Sequence, residues 1–391
     1  MGAEIVTLGC RLNLSESESL RALLAQENDL VVINSCAVTS EAVRQTRRAI
    51  RRMRRVRPEA RLLVTGCAAE VERGALAAMP EVDGFVANAS KLDPRAWNAP
   101  APTQPIVAGA HTRAFVQVQN GCDHACTFCV IPQGRGPSRS RDAAAVVAEI
   151  ERHLAAGVRE VVLTGVDLTD WGKDLPGMPR LGALVAAILA ACPSLERLRL
   201  SSLDGIEIDP ELHELLAGES RVMPHVHLSL QSGHDLVLKR MKRRHRRADA
   251  VALVARLKAR RPDIAIGADL IAGFPTEDEA MHEANRAIIA ELGVVHGHVF
   301  PYSRRPGTPA ARMPQVEPAT IRRRAADLRA AVDAERRTWL ASLIGRPLSV
   351  LAERDGTGHG PNFARVRLPE GTAPGTIVTL TPTRIIEGLL T

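Results

Sequence analysis

The sequence predicts an α/β protein in three parts: an N-terminal open parallel α/β sheet, a central partial (β/α)6 barrel and a small C-terminal β-barrel. Three observations support this. Short apolar strands alternate with helical patterns through residues 1–92 and again through 111–344, the signature of parallel sheets. Residues 93–110, rich in Pro and Ala, read as a linker between the two series. From 345 to 391 the pattern changes to short strands separated by Gly and Pro. A chain of 391 residues is long enough for two or three domains.

In the first part, strands are expected at Ile5–Leu8, Leu30–Ile33, Arg61–Thr65 and Gly84–Ala87, with helices starting near Ser15, Ser40 and Ala68. In the second they are expected at Phe115–Val118, Glu160–Thr164, Arg197–Leu200, His225–Leu228, Ile264–Ile266 with Ala268–Ile271, and His296–Phe300. Six such units argue for a partial barrel. A long Arg-rich helix follows, from about Glu317 to Leu343. The last part offers Leu348–Leu351, Phe363–Leu368 and Thr376–Leu380.

Composition narrows the class. An apolar content of 45% supports real cores, and only 3% aromatics means that Ala, Val, Leu and Ile build them. No stretch approaches the roughly 18–20 apolar residues of a membrane span. The longest, Leu181–Ala191, reads as a buried helix, so no membrane association is expected. The first residues open directly into a strand pattern with no visible signal peptide, which suggests a cytoplasmic protein. A net charge of +7 favours a polyanionic partner.

Seven cysteines in such a chain argue for metal binding or catalysis over disulfides. Cys122, Cys126 and Cys129 form C-x3-C-x2-C directly after the first barrel strand. A cubane iron–sulfur cluster normally takes four cysteine ligands, so three leave one iron open to a small molecule. A zinc site completed by His124 is the alternative, but no second knuckle follows. Cys10, Cys36 and Cys67 each follow a strand of the first part. The carboxyl ends of strands in an open α/β sheet converge on one crevice, so these three should meet. The glycines before Cys10 and Cys67 would let backbone approach an inorganic core closely. The plainer alternative is three buried thiols acting as small hydrophobes. Cys192, at a helix end, reads as structural.

The C-x3-C-x2-C loop on a barrel, with Phe128 before the third cysteine, resembles the radical S-adenosylmethionine (SAM) enzymes. A three-cysteine α/β domain ahead of that barrel, with a short TRAM-like β-domain behind it, resembles the methylthiotransferases. Val6–Asn13, Arg135–Arg141, Leu163–Leu168, Arg199–Ser202, His227–Gly233, His298–Ser303 and Arg305–Ala310 are similar to the kind acting on N6-threonylcarbamoyladenosine in tRNA. The resemblance implies two [4Fe–4S] clusters, held by Cys10, Cys36 and Cys67 and by Cys122, Cys126 and Cys129. It implies SAM as both methyl donor and radical source, and an electron donor such as a flavodoxin or ferredoxin. Gly165 and Asp167 would meet the SAM amino group, with a helix N-cap as the alternative role of Asp167. Ser229 and Gln231 would face other polar parts of SAM, and Glu277 lies in a segment similar to the adenine-side one. Methylthiolation of isopentenyladenosine in tRNA, or of a ribosomal-protein aspartate, are the enzymatic alternatives. A non-catalytic iron–sulfur protein that binds nucleic acid is the other class.

Two basic runs are candidates for tRNA phosphates. Arg44 to Arg57 holds eight arginines and no acid, with Arg44, Arg47, Arg48 and Arg51 on one helix face. Lys239–Arg247 follows the fourth barrel strand and includes Lys242, Arg243 and Arg244. A solvated Arg-rich face is the alternative for both.

Overall fold

Strands Glu4–Thr7, Leu30–Ser35, Arg61–Gly66 and Gly84–Phe85 pair in chain order as one parallel sheet. The computed structural model describes residues 3–100 and 112–391. Leu30–Ser35 is buried throughout because helices cover both faces of this sheet. Val31, Ile33, Leu62 and Val64 pack with Ile50 and Met53 of helix Ser40–Val56. Val32, Leu63 and Ile5 pack with Leu20 and Leu23 of helix Arg11–Leu23. Thr39 starts the Ser40 helix, its hydroxyl accepting from the Ala42 amide at 3.1 Å.

Two expectations shift here. The first helix starts at Arg11, with Cys10 as its N-cap, not near Ser15. Part of the expected linker is docked: Pro94–Trp97 forms a 3-10 turn, and buried Trp97 donates its indole N–H to the Lys91 carbonyl at 2.8 Å. The remainder, 101–110, lies outside the described residues.

The barrel is made of two parallel groups, Ala114–Gln117, Glu160–Thr164 and Arg197–Leu200, then His225–Gln231, Ala265–Ala272 and Val294–Pro301. Single bridges, Leu198 to Val222 and Leu203 to Leu228, link the groups. Among the described residues the first and last strands do not pair, so the barrel is open. Asp142, Asp209 and Asp278 cap three of the surrounding helices. Val161, Leu163, Leu198, Leu200, Val226, Leu228, Ile266 and Leu270 pack outward against those helices. Strand side chains alternate, so Glu160, Arg197, Arg199, His225, His227, Asp269 and His298 point to the lumen. The fifth strand runs unbroken through Gly267, where a Cβ would sit 2.3 Å from His227 Nδ1. The glycine makes room for that imidazole.

After helix Pro318–Ala341 come Leu348–Ala352, Thr357–His359, Arg365–Arg367, Ile377–Leu380, Ile385–Ile386 and Leu389–Leu390, one mostly antiparallel sheet. The strand expected from Phe363 begins only at Arg365, because Phe363 takes φ +68° and turns the chain. This domain docks where the barrel strands begin. Arg197 donates to the Ser349 carbonyl at 2.6 Å, and Arg199 donates to the carbonyls of Pro361 and Gly360 at 2.7 and 2.8 Å. Among the described residues no helix is long and apolar enough to cross a membrane.

Candidate active site

The first three strand ends bring Cys10, Cys36 and Cys67 into one crevice. Gly9 has φ +93°, and a Cβ there would lie 2.8 Å from Cys36 Sγ. Gly66 has φ +87°, and a Cβ there would strike the Ser35 carbonyl oxygen at 2.4 Å. Both glycines are thus required by fit as well as by backbone angle. Burial pushes the Cys36 thiol up to about 11, and Cys67 and Cys10 lie close enough to raise it further. Burial likewise raises Cys67.

Below these thiols lies a buried polar layer. Asn13 donates to the Leu8 and Ser35 carbonyls at 2.7 and 3.0 Å, and Asn34 donates to the Asn13 carbonyl at 3.0 Å. Lys91 Nζ meets Glu16 at 2.5 Å. Arg135, from the barrel, donates to Glu16 at 2.8 Å and to Asn13. Two cations therefore face one carboxylate, and the positive excess stands beside three thiols. That balance suits thiolate ligands, which an iron–sulfur group requires.

The barrel loop is clamped from several sides. The Thr127 amide donates to the Met241 carbonyl at 3.1 Å, and its hydroxyl to the Arg240 carbonyl at 2.8 Å. Phe128 meets Phe274 edge-on at 6.3 Å. Each sulfur faces a donor: the His124 amide on Cys122 at 3.4 Å, the Ile131 amide on Cys129 at 3.4 Å, and Arg243 Nη1 on Cys126 at 3.7 Å. Burial pushes Cys122 and Cys129 up to about 12. Three mutually close thiols served by donors fit a cluster that binds thiolates. His124 turns to Asp167 at 2.6 Å and toward Glu207, and its hydrogen bonds to those carboxylates raise it to about 10. It is thus engaged with acids.

The two cysteine sets face each other. A Cβ on Gly134, in the turn after the barrel loop, would lie 3.1 Å from Cys67 Cβ. Asn88 donates to the Gly134 carbonyl at 2.5 Å. Farther round the same interface, Arg305 pairs with Glu72 at 2.7 Å, and the Ser40 amide donates to Ser303 Oγ at 2.9 Å.

Between the sets and the C-terminal domain lies a polar lumen. At its base, fully buried Glu160 meets Arg199 at 2.8 Å, Arg113 at 3.5 Å and Arg197 at 3.6 Å. Burial opposes the Glu160 charge, but Arg199 and Arg113 hold it at about 2. Phe363 closes the base, stacked on His359 at 4.4 Å and on His225 at 5.2 Å. Higher up, Asp269 bonds His227 Nε2 at 2.9 Å and His298 Nδ1 at 3.1 Å. Burial works against the Asp269 charge, yet these hydrogen bonds keep it well below the usual carboxylate range.

The residues expected to meet SAM divide. Gly165 lies against Gln119, whose Oε1 accepts the amides of Val166 and Asp167 at 2.9 Å. Asp167 lies 3.8 Å from Cys122 Sγ. Ser229 and Gln231 are half-buried at the end of their strand, and the Ser229 carbonyl accepts from Arg243 at 2.9 Å. Asp167 touches the cysteine loop directly, Gly165 reaches it through Gln119 and Ser229 through Arg243, while Gln231 stands two residues past Ser229. Glu277 does not join them. It is buried, accepting from the Gly273 amide at 3.0 Å, from Asn285 at 3.1 Å and from Arg324 at 3.1 Å. Its oxygens brace the turn after the fifth strand.

The basic candidates divide as well. Arg44, Arg48 and Arg51 are exposed, while Arg47 is half-buried near Glu72. Lys242 and Arg244 are exposed, and Arg244 bonds Glu207 at 2.9 Å. Arg243 is turned inward, meeting Asp204 at 3.0 Å and Cys126 Sγ. That corrects its reading as a phosphate contact, since its guanidinium is spent beside a cysteine of the loop. The sequence reading missed the Glu16–Lys91–Arg135 group, the lumen and Phe363. Polar residues at every second position, as in Arg197-Leu-Arg199 and His225-Val-His227, carried the lumen's signal.

Residues 116–287 match the radical SAM superfamily, and residues 3–87 match the uncharacterized protein family UPF0004. The chain is 42% identical to the threonylcarbamoyladenosine tRNA methylthiotransferase MtaB of Rickettsia prowazekii (strain Madrid E), over 99% of this chain and 96% of that one. It is 34% identical to a tRNA-2-methylthio-N(6)-dimethylallyladenosine synthase of Cereibacter sphaeroides (strain ATCC 17025 / ATH 2.4.3), over 90% and 87%. The radical SAM methyltransferase TsrM of Kitasatospora setae has a similar fold, with TM-score 0.55, 17% identity, and 77% of this chain and 67% of that one covered. The chain is an enzyme of the radical SAM methylthiotransferase family, whose radical SAM part implies SAM and a [4Fe–4S] cluster.

Proposed function

We propose that this enzyme places a methylthio group at C2 of N6-threonylcarbamoyladenosine beside the tRNA anticodon. The observation that carries the reading is the approach of the two three-cysteine sets across one interface, with Gly134 against Cys67. Cys122, Cys126 and Cys129 would hold a radical-generating [4Fe–4S] cluster, and Cys10, Cys36 and Cys67 a second one in residues 1–92. When bound, these groups and SAM supply a carbon-centred radical and the sulfur to be transferred, reactivity that no side chain offers at an unactivated C–H.

The chain's own residues bind, orient and exclude water. Asp167 and the backbone at Gly165 would receive the SAM ammonium beside Cys122, and Ser229 and Gln231 its other polar groups. Arg44, Arg48 and Arg51, with Lys242 and Arg244, would meet tRNA phosphates. The electron would come from a reduced flavodoxin or ferredoxin in the cytoplasm. The polar lumen favours the threonylcarbamoyl arm over dimethylallyl, since polar walls match a polar arm better than an apolar one.

The test is anaerobic incubation of the reconstituted enzyme with SAM, a reductant and anticodon stem–loops carrying either modification. The reading expects methylthio product from the threonylcarbamoyl RNA. Product from the dimethylallyl RNA alone would overturn it.

A further inference from the structure

Arg11 follows Cys10 directly, and its side chain enters the lumen. Its Cζ stands 5.6 Å from the centre of the Phe363 ring. Arg113, Arg135, Arg197 and Arg199, the other arginines here, each meet a carboxylate within 4 Å. Among the described residues the Arg11 side chain has no ion pair and no hydrogen bond. Its side chain is reached by solvent and stands with Arg113 and Arg199 around the same Phe363 ring. It lies in the first turn of helix Arg11–Leu23, at the positive end of the helix dipole, which also favours an anion there. Glu160 and Asp269 lie within electrostatic range, but both are already bonded to other cations or imidazoles. A cation among cations, resting on an aromatic ring and with no carboxylate of its own among the described residues, is poised for an anion.

On the last barrel strand, His298 is exposed on the lumen face, and Asp269 takes its Nδ1. With Nδ1 directed at Asp269, Nε2 is the ring nitrogen left to face a ligand. The opening therefore offers a guanidinium for a carboxylate and an imidazole nitrogen for an O–H or N–H. A threonylcarbamoyl arm carries all three groups, and a dimethylallyl arm carries none.

We propose that Arg11, together with His298, binds the carboxylate-bearing N6 arm of the substrate adenosine and thereby sets which modified adenosine is accepted. The proposal rests on the methylthiotransferase reading above and deepens it. Arg11 is a specificity residue touching the arm, while Asp269 acts through His298 as a positioning residue. A site built around a polar group rejects the analogue lacking it far more strongly than an apolar site rejects an extra methylene.

The test uses the reconstituted holoenzyme and three anticodon stem–loops, carrying threonylcarbamoyladenosine, its methyl ester or dimethylallyladenosine. Kd is measured without reductant, and kcat and KM with it. Iron content is measured for every variant. For the wild type, the ester should weaken binding and raise KM about 10- to 100-fold, the loss of one charge-assisted hydrogen bond. Arg11→Gln should bind acid and ester alike, and Arg11→Lys should recover part of the preference. Equal wild-type affinity for acid and ester would overturn the proposal, as would an Arg11→Gln that still separates them. If Arg11→Gln loses its iron or its fold, the wild-type comparison of acid with ester still decides. A wild type that forms no product from the threonylcarbamoyl RNA would instead sink the underlying reading.

Discussion

Arg135 donates to both carboxylate oxygens of Glu16, at 2.8 and 3.2 Å. Glu16 stands six residues after Cys10, and Arg135 six residues after Cys129. One buried fork therefore spans the two cysteine sets and helps fix their separation. An Arg–carboxylate fork restricts angle as well as distance, which a single point contact would not.

Breaking this fork should be costly. Glu16→Gln leaves Lys91 and Arg135 buried without their carboxylate. Removing one partner of such a group costs about 3–5 kcal/mol. The expected result is a clear fall in thermal midpoint, with methylthio product lost more than SAM cleavage. A calorimetric scan, with deoxyadenosine and product assayed together, checks this. An unchanged midpoint would mean that the interface is held elsewhere.

Acid should loosen the docking of the C-terminal domain. Glu160 sits at about 2 in the folded chain, against an ordinary 4.5. Its folded value is depressed, so its contribution is full above pH 4.5 and is lost as pH falls toward 2. Glu160→Gln should lower the midpoint at pH 7, and its deficit against wild type should shrink across that window. A deficit independent of pH would contradict this account.

The cysteine sets should separate by half-reaction. Cys122→Ala should abolish reductive cleavage of SAM. Cys10→Ala should keep deoxyadenosine formation and lose methylthio product. Iron after anaerobic reconstitution should be about eight per wild-type chain, for two four-iron clusters. Zinc, or a colourless protein, would count against the enzyme reading.

The basic residues should split between RNA and the loop. Arg44→Glu with Arg48→Glu should weaken tRNA binding and flatten its salt dependence by about 0.7–0.9 in log–log slope per lost phosphate contact. Arg243→Ala should leave that slope alone and impair SAM cleavage, because its guanidinium faces Cys126. A salt-slope change in Arg243→Ala would restore it as a phosphate contact.

Much of the fold was legible in the sequence. Apolar runs such as Leu30–Ile33 and Glu160–Thr164 coincide with strands, since parallel strands covered on both faces need near-continuous apolar sequence. The cysteine triplets were legible because spacing and strand ends are local features. What escaped is relational. A charge run does not show which of its members turns inward, so Arg243 read like its neighbours Lys242 and Arg244. Lys91 sat at the edge of a Pro- and Ala-rich stretch, and only the packed Glu16 explains its burial. Glu277 lies in a segment whose local pattern suggested a ligand contact, whereas Arg324, on a helix far along the chain, claims it. Arg11 carries no local signal of its own, and only the packed lumen sets it against Phe363, more than three hundred residues away.

The central claim is tested most directly by mass spectrometry of tRNA nucleosides from cells with and without this protein. The account predicts that 2-methylthio-N6-threonylcarbamoyladenosine disappears without it, while N6-threonylcarbamoyladenosine accumulates. An unchanged threonylcarbamoyl profile, with loss of methylthio from isopentenyladenosine or from a ribosomal protein, would contradict it.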